Sequence, residues 1–338
     1  MEKLQVGKSL RVVGRCLAVQ MLTLVLCVVV YSSAVAQVKF PTRYIDLVVT
    51  FAPGGASDSS ARSLVPYLSK QLGVPIVVKN MPPPRTGEDI FNRSKPDGYT
   101  LAHIAGTGIV SDETFYKVRF RSRKFALIAA NARTPGLMFS NARGSIKNFD
   151  DLAKLGAKRP IKIGAFSMYS SSTLAAMTAL AEKKIPYTFV TGFKGAAPAL
   201  ISLLRGEVDV VGTTFGSGSA LYKSGEIKPL LLYQTEPNKQ IPDAPTISQV
   251  GLSPSAAYLG SVHYAFMAPP GTSKEIRAIL AAAHKKAVDD PRYQAQLKKV
   301  GFTLDYVPPE KIYEWLDNIF AAIEKAKPLV LSHLKKKK

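Results

Sequence analysis

The sequence predicts an α/β fold built on largely parallel sheets. Short apolar runs rich in β-branched residues alternate with segments of helical periodicity along the chain. Glycine- or serine-rich turns follow several of these runs, where a strand hands over to a helix. The chain has 338 residues, and at about 150 residues per domain two domains are expected.

The first element is a secretory signal. Lys3, Lys8, Arg11 and Arg15 form a basic region, Leu17 to Tyr31 is almost wholly apolar, and Ala34-Val35-Ala36 is a small-x-small cleavage site. Cleavage after Ala36 places the protein in the periplasm with a mature start at Gln37. The alternative is an uncleaved anchor, but the apolar run is short for a span of about 20 residues. A lipoprotein is disfavoured because Leu26 precedes Cys27. The only cysteines, Cys16 and Cys27, fall in residues 1–36, so the mature chain carries no disulfide, thiol nucleophile or cysteine metal site. His103, His263, His284 and His333 are scattered, and neither a metal site nor a cofactor is expected. Losing four basic groups and one acid takes the net charge from +21 to +18. The basic residues are spread along the chain, which suits attraction of small anions or an anionic membrane face better than nucleic-acid binding; plain solubility is the simpler alternative. Lys335 to Lys338 reads as a solvated tail.

In the mature chain Ile45 to Thr50 reads as a buried strand. Phe51-Ala52-Pro53-Gly54-Gly55-Ala56-Ser57-Asp58 then reads as a sharp turn and a helix start. Consecutive glycines allow positive φ and let a ligand approach bare main chain. The helix N-terminus offers unpaired N–H groups and a positive dipole end. The motif is neither a Walker loop nor a dinucleotide fingerprint, and tightening of the turn alone is the plainer reading. Ala61, Leu64, Val65, Leu68 and Leu72 recur at helical spacing up to Gly73, with Pro66 expected to kink the helix or expose a carbonyl. Pro75 to Val78 and Tyr99 to Ala105 are further strands.

A second α/β block starts near Ile146. Phe149–Leu155 reads as a helix and Ile161–Gly164 as a strand. Ser167–Ser172 is a polar turn before a helix at Thr173–Lys184. Ser170, Ser171 and Ser172 are able to cap that helix or hold an anion. Tyr187–Val190, Val208–Val211 and Leu230–Tyr233 are strands, Ala197–Arg205 is a helix, and Gly212–Ser219 is a polar turn. Helices near Lys274–Val288, Asp290–Val300 and Glu310–Lys325 close the chain.

These motifs together resemble the periplasmic substrate-binding proteins of tripartite tricarboxylate transporters, the Bug family, as a divergent member. The resemblance spans nearly all of the mature chain. It rests on Phe40-Pro41-Thr42-Arg43, the Phe51–Asp58 turn with Ala61-Arg62, and Lys95-Pro96-Asp97-Gly98-Tyr99-Thr100. It also rests on Phe193-Lys194-Gly195 with Ala197–Leu200, Gly206–Val210, Pro242–Thr246 and Ala268–Thr272. The resemblance implies a two-lobe periplasmic binding protein, a type II-like Venus flytrap with a mostly parallel sheet in each lobe. Lobe I would be 37–135 plus 265–338 and lobe II 136–264, with crossings near 130–142 and 257–268. It implies a small carboxylate ligand in the interlobe cleft, membrane components of a tripartite transporter as partners, and a monomer. By position, ligand contacts are carried over to Ala52, Pro53, Gly54, Gly55, Ser57 and Asp58 in the first lobe. In the second they fall to Ser171, Ser172, Phe193 and Lys194. Ser167, Tyr169 and Thr173 depart from the family's G-x-G…His turn. Thr213 stands where the family often has Asp, and Met81-Pro82-Pro83-Pro84-Arg85 replaces a glycine-rich turn. Tyr169 is expected to narrow the cleft or stack on the ligand.

No reaction is implied. A serine hydrolase drawing on Ser170–Ser172 would need a base, and His103 and His263 have no recognisable partner spacing. A ligand-sensing protein of the same fold is the other alternative.

Overall fold

The computed structural model describes residues 39–253 and 259–335. The signal segment 1–36 and its cleavage site lie outside the described residues. The chain alternates as expected: β1 (Ile45–Val49), α1 (Ala56–Leu72), β2 (Ile76–Asn80), α2 (Pro84–Asn92), β3 (Thr100–Ala105) and α3 (Gly106–Phe115). The long strand β4 (Ala126–Asn141) follows, then α4 (Phe149–Gly156), β5 (Ile161–Gly164), α5 (Ser171–Glu182) and β6 (Tyr187–Val190). Next come α6 (Ala196–Leu204), β7 (Val210–Thr214), α7 (Phe215–Lys223) and β8 (Ile227–Leu232). The chain returns through β9 (Ser261–Ala268), α8 (Lys274–Asp289), α9 (Pro291–Lys299), β10 (Thr303–Val307) and α10 (Ile312–Lys335).

The strands run in the order β2-β1-β3-β9-β4-β7-β5-β6, with β8 and β10 also paired to β4. β2, β1 and β3 are parallel, as are β6, β5 and β7. Each half thus carries the expected parallel core, and antiparallel strands β4 and β9 are added between them. β4 changes partners along its length. Residues up to Pro135 pair with β9, and β10 joins them between Ala130 and Arg133. From Gly136 onward β4 pairs with β7 and β8. The architecture is therefore α/β with two lobes.

The central strands are apolar on both faces because helices cover both sides. β1 and β3 are buried almost throughout. One core cluster joins Val48 and Ile104 to Leu174, Met177 and the inner face of α10, from Ile312 to Val330. Full burial of each such side chain contributes about 1.5–3 kcal/mol relative to exposure.

Several boundaries differ from expectation. Gly212–Ser219 is not a turn: β7 runs to Thr214 and α7 begins at Phe215. Gly216 and Gly218 are there for space, since a β-carbon would lie 2.9 Å from Phe302 or 3.0 Å from Phe139. The proline run opens α2, with Pro84 in its first turn, where a missing N–H removes no helical hydrogen bond. α1 runs through Pro66, and α10 extends ten residues beyond Lys325.

Candidate ligand-binding site

The Gly-Gly turn lies between β1 and α1 as predicted. Ala52, Pro53 and Gly54 are exposed, whereas Ser57 and Asp58 are buried. Only Gly54 occupies the left-handed region, at φ 80°. Gly55 is extended (φ −80°, ψ 175°) and caps α1 without a side-chain hydrogen bond. The expectation that both glycines relieve positive φ therefore holds for Gly54 alone. Gly55 leaves the helix start bare instead. Among the described residues, the N–H groups of Gly55, Ala56 and Ser57 have no hydrogen-bond partner, the condition for anion binding at a helix N-terminus.

The side chains of the first turn face inward. The Asp58 carboxylate accepts from Gly54 N–H (3.0 Å), Asn80 Nδ2 (3.0 Å) and Arg62 Nε (2.9 Å). Burial alone would raise its pKa, but Arg62, Gly54 N–H and Asn80 outweigh that and hold it below its ordinary value. Asp58 thus clamps the turn. The i,i+4 spacing of Asp58 and Arg62 was a local signal for this pairing. Ser57 is buried in the first turn of α1.

α1 begins beside α7. A β-carbon on Gly216 would lie 3.5 Å from Cβ of Ala56, and Gly216 N–H donates to Thr134 Oγ1 on β4 (3.0 Å). α5 begins nearby: Ser172 Oγ would lie 3.0 Å from a β-carbon on Gly136, two residues along β4. Three helix starts therefore gather around Thr134–Gly136, where β4 changes partners. Ser170 is the cap of α5, its hydroxyl accepting from Thr173 N–H (3.3 Å) and donating to Thr173 Oγ1 (2.8 Å). Ser171 and Ser172 form the first helical turn and are buried. Thr213 is buried on β7 opposite Leu137 of β4. Phe193 packs on the core cluster around Leu137, Phe139 and Leu200, while Lys194 is exposed in the loop before α6. Gly136 and Gly260 were not singled out from the sequence, yet Gly136 and Gly212 let β4 and β7 approach α5 closely and Gly260 makes room for Tyr233.

Tyr169, in the turn before α5, stacks on Phe115 (4.6 Å between centroids, 10° between planes) and meets Tyr116 edge-on (4.9 Å, 84°). Arg85 covers the Tyr116 ring at 3.7 Å and lies 3.6 Å from Asp112. Burial raises the Asp112 pKa to about 6 despite Arg85. Glu88 is buried, and burial followed by repulsion from Asp112 raises it well above the carboxylate range.

His263 does have an acidic partner that sequence spacing did not reveal: its Nε2 lies 2.8 Å from Asp305 on β10. His103 lies in the core, stacked on Tyr264. Among the described residues, no three His, Cys, Asp or Glu side chains group as metal ligands. Two open surface hollows, of about 660 and 370 Å³, flank α8, α9 and the outer face of α1 and include none of the predicted contact residues.

The family described as "Tripartite tricarboxylate transporter family receptor" matches residues 60–324. A UPF0065 protein of Bordetella pertussis is 28% identical over 259 residues, covering 75% of this chain and 79% of its own. Protein BugT of the same organism is 27% identical over 257 residues, covering 71% and 75%. Among solved structures, MatC from Rhodopseudomonas palustris with bound malate is 25% identical with a TM-score of 0.76, over 86% of this chain and all of its own. An R. palustris protein with adipate has a TM-score of 0.79 at 23% identity, over 86% and 98%. The family match covers most of the chain, and the chain belongs to the tripartite tricarboxylate transporter family receptors.

Proposed function

We propose that the protein is a periplasmic solute-binding protein that captures a small organic carboxylate between its two lobes for a tripartite membrane transporter. The observation that carries this reading is the bare start of α1. Three N–H groups without partners sit behind an exposed turn that Asp58 holds in place. Family membership supports the transporter role, and malate in MatC and adipate in a second relative support the carboxylate class. Lobe I comprises 37–135 and 265–338 and lobe II comprises 136–264. The change of β4 partners at Pro135–Gly136 supports that division. The mature chain, cut after Ala36, acts as a monomer.

The first turn supplies N–H donors to one carboxylate, and Ser171, Ser172 and Thr213 supply facing polar groups. Closure brings both sets onto one ligand, so affinity depends on contacts present only in the closed form. A calorimetric screen of mono-, di- and tricarboxylates tests this. At least one should bind and stabilise the fold by about 2.7 kcal/mol at a hundredfold excess over its Kd. Binding by none of them would contradict the proposal.

Tyr169 closes the cleft by joining the α5 turn to Phe115 and Tyr116 rather than standing free to stack on ligand. Aromatic pairs contribute about 0.5–1.5 kcal/mol beyond area burial. Tyr169→Gly should therefore weaken closure and raise Kd up to about tenfold for every ligand that binds, while widening the range of accepted sizes. An unchanged ligand profile would place Tyr169 outside the closing contact.

A further inference from the structure

Residues 117–124 read Lys-Val-Arg-Phe-Arg-Ser-Arg-Lys, five cations in eight positions. The structure sorts them by face. Lys117, Arg119, Arg121, Arg123 and Lys124 are exposed, while Phe120 and Ser122 are buried. Glu113 of α3 fixes the segment by accepting from both the N–H (2.8 Å) and the hydroxyl (2.6 Å) of Ser122. Arg123 lies over Phe320 and pairs with Asp317 of α10 at 2.8 Å. Arg121 stands 3.7 Å from Glu113. Lys117, Arg119 and Lys124 make no ion pair among the described residues. Next to Lys124, Tyr313 of α10 keeps much of its ring exposed while its hydroxyl donates to the Phe125 carbonyl (2.9 Å).

We propose that this row, bordered by Tyr313, is a docking surface for an anionic phospholipid bilayer. Lys117 to Arg121 form an irregular stretch and Ser122–Lys124 a short 3-10 turn, so the five cations are spread over eight positions. All five are exposed, and three of them have no ion-pair partner among the described residues. A group of exposed Lys and Arg heads on long stems suits a surface of spread negative headgroups. Tyr313 presents an aromatic ring of the kind favoured at membrane interfaces. The attraction acts over a Debye length, so it holds the protein at the surface without insertion.

The test is co-sedimentation of the protein with vesicles containing phosphatidylglycerol and with neutral phosphatidylcholine vesicles, at about 0.1 M salt and at about 0.5 M. The protein should bind the anionic vesicles alone and leave them at the higher salt. The triple variant Lys117→Glu/Arg119→Glu/Lys124→Glu should lose at least about tenfold in binding with an unchanged melting curve. Reversal of three exposed lysines elsewhere, Lys158→Glu/Lys183→Glu/Lys223→Glu, should lose much less. Equal binding to neutral vesicles, equal loss in both variants, no vesicle binding, or recognition only of an acidic protein segment would each overturn the proposal.

Discussion

Acidification from about pH 6.5 toward pH 4 is expected to destabilise the fold by several kcal/mol, chiefly through His103 and His284. Both rings are fully buried. Burial pushes His103 down to about 4, with Asn131 acting the other way. Burial, then the presence of His103, takes His284 to about 3. Phe266 and Tyr306 stack on His284, and its ring nitrogens have no hydrogen-bond partner among the described residues. Both pKa values lie below the ordinary 6.5, so the unfolded chain takes up protons that the folded chain refuses. Their stability contribution is complete above pH 6.5 and is lost as the pH falls toward 4 and 3. Asp112 acts in the opposite sense. Raised from 3.8 to about 6, it contributes fully below its ordinary pKa and loses that contribution as pH rises through 6. It and Glu88, whose buried carboxyl is likewise raised, offset part of the acid loss. The comparison with His284→Phe isolates the histidine. The variant keeps the ring stack and removes the titration, so its acid transition should fall by about half a pH unit or more. Denaturant titrations between pH 4 and 8 measure this. An unchanged pH dependence would show that His284 does not titrate on unfolding.

Substituting Gly136 by Ala is expected to cost about 3 kcal/mol, the upper end for overpacking. Its β-carbon would fall 2.2 Å from the Gly260 carbonyl oxygen and 3.0 Å from Ser172 Oγ. The first neighbour is backbone and has no rotamer through which to move. The strain would act where β4 changes partners and α5 begins, so ligand affinity should fall with stability. Gly108→Ala is the control. It lies inside α3, where the new methyl meets the Ala105 side chain at an ordinary 3.6 Å. Removing a helical glycine should stabilise by up to about 1 kcal/mol. Equal melting temperatures for the two variants would contradict the close packing at Gly136.

Elements set by local periodicity were legible in the sequence. β1, β5 and β6 and helices α1, α8 and α9 lie within a few residues of where apolar spacing and caps put them. Segments whose residues serve distant neighbours were not. Gly216 and Gly218 look like loop residues, yet they make room for Phe302 and Phe139. β10 gains its order from pairing with β4, more than 160 residues away. The same division runs through the site. The strand, Gly-turn and helix start were legible because φ preference and helix polarity are local. That Asn80 reaches Asp58 across 22 positions, or that Tyr169 meets Phe115 across 54, has no local signature.

The carboxylate assignment is tested most directly at Gly55. Its φ of −80° suits any L-residue, and a β-carbon there would meet only the Ala52 carbonyl oxygen, at 3.6 Å. Gly55→Val should therefore fold with a cooperative melt close to the parent's. Its side chain would crowd the N–H groups that open α1 and keep a carboxylate away. Calorimetric titration of parent and variant with the same stabilising carboxylate gives the comparison. A rise in Kd of about a hundredfold or more, equivalent to about 2.7 kcal/mol, is the predicted result. An unchanged Kd in a normally folded Gly55→Val protein would mean that the turn is structural and that the ligand is held elsewhere.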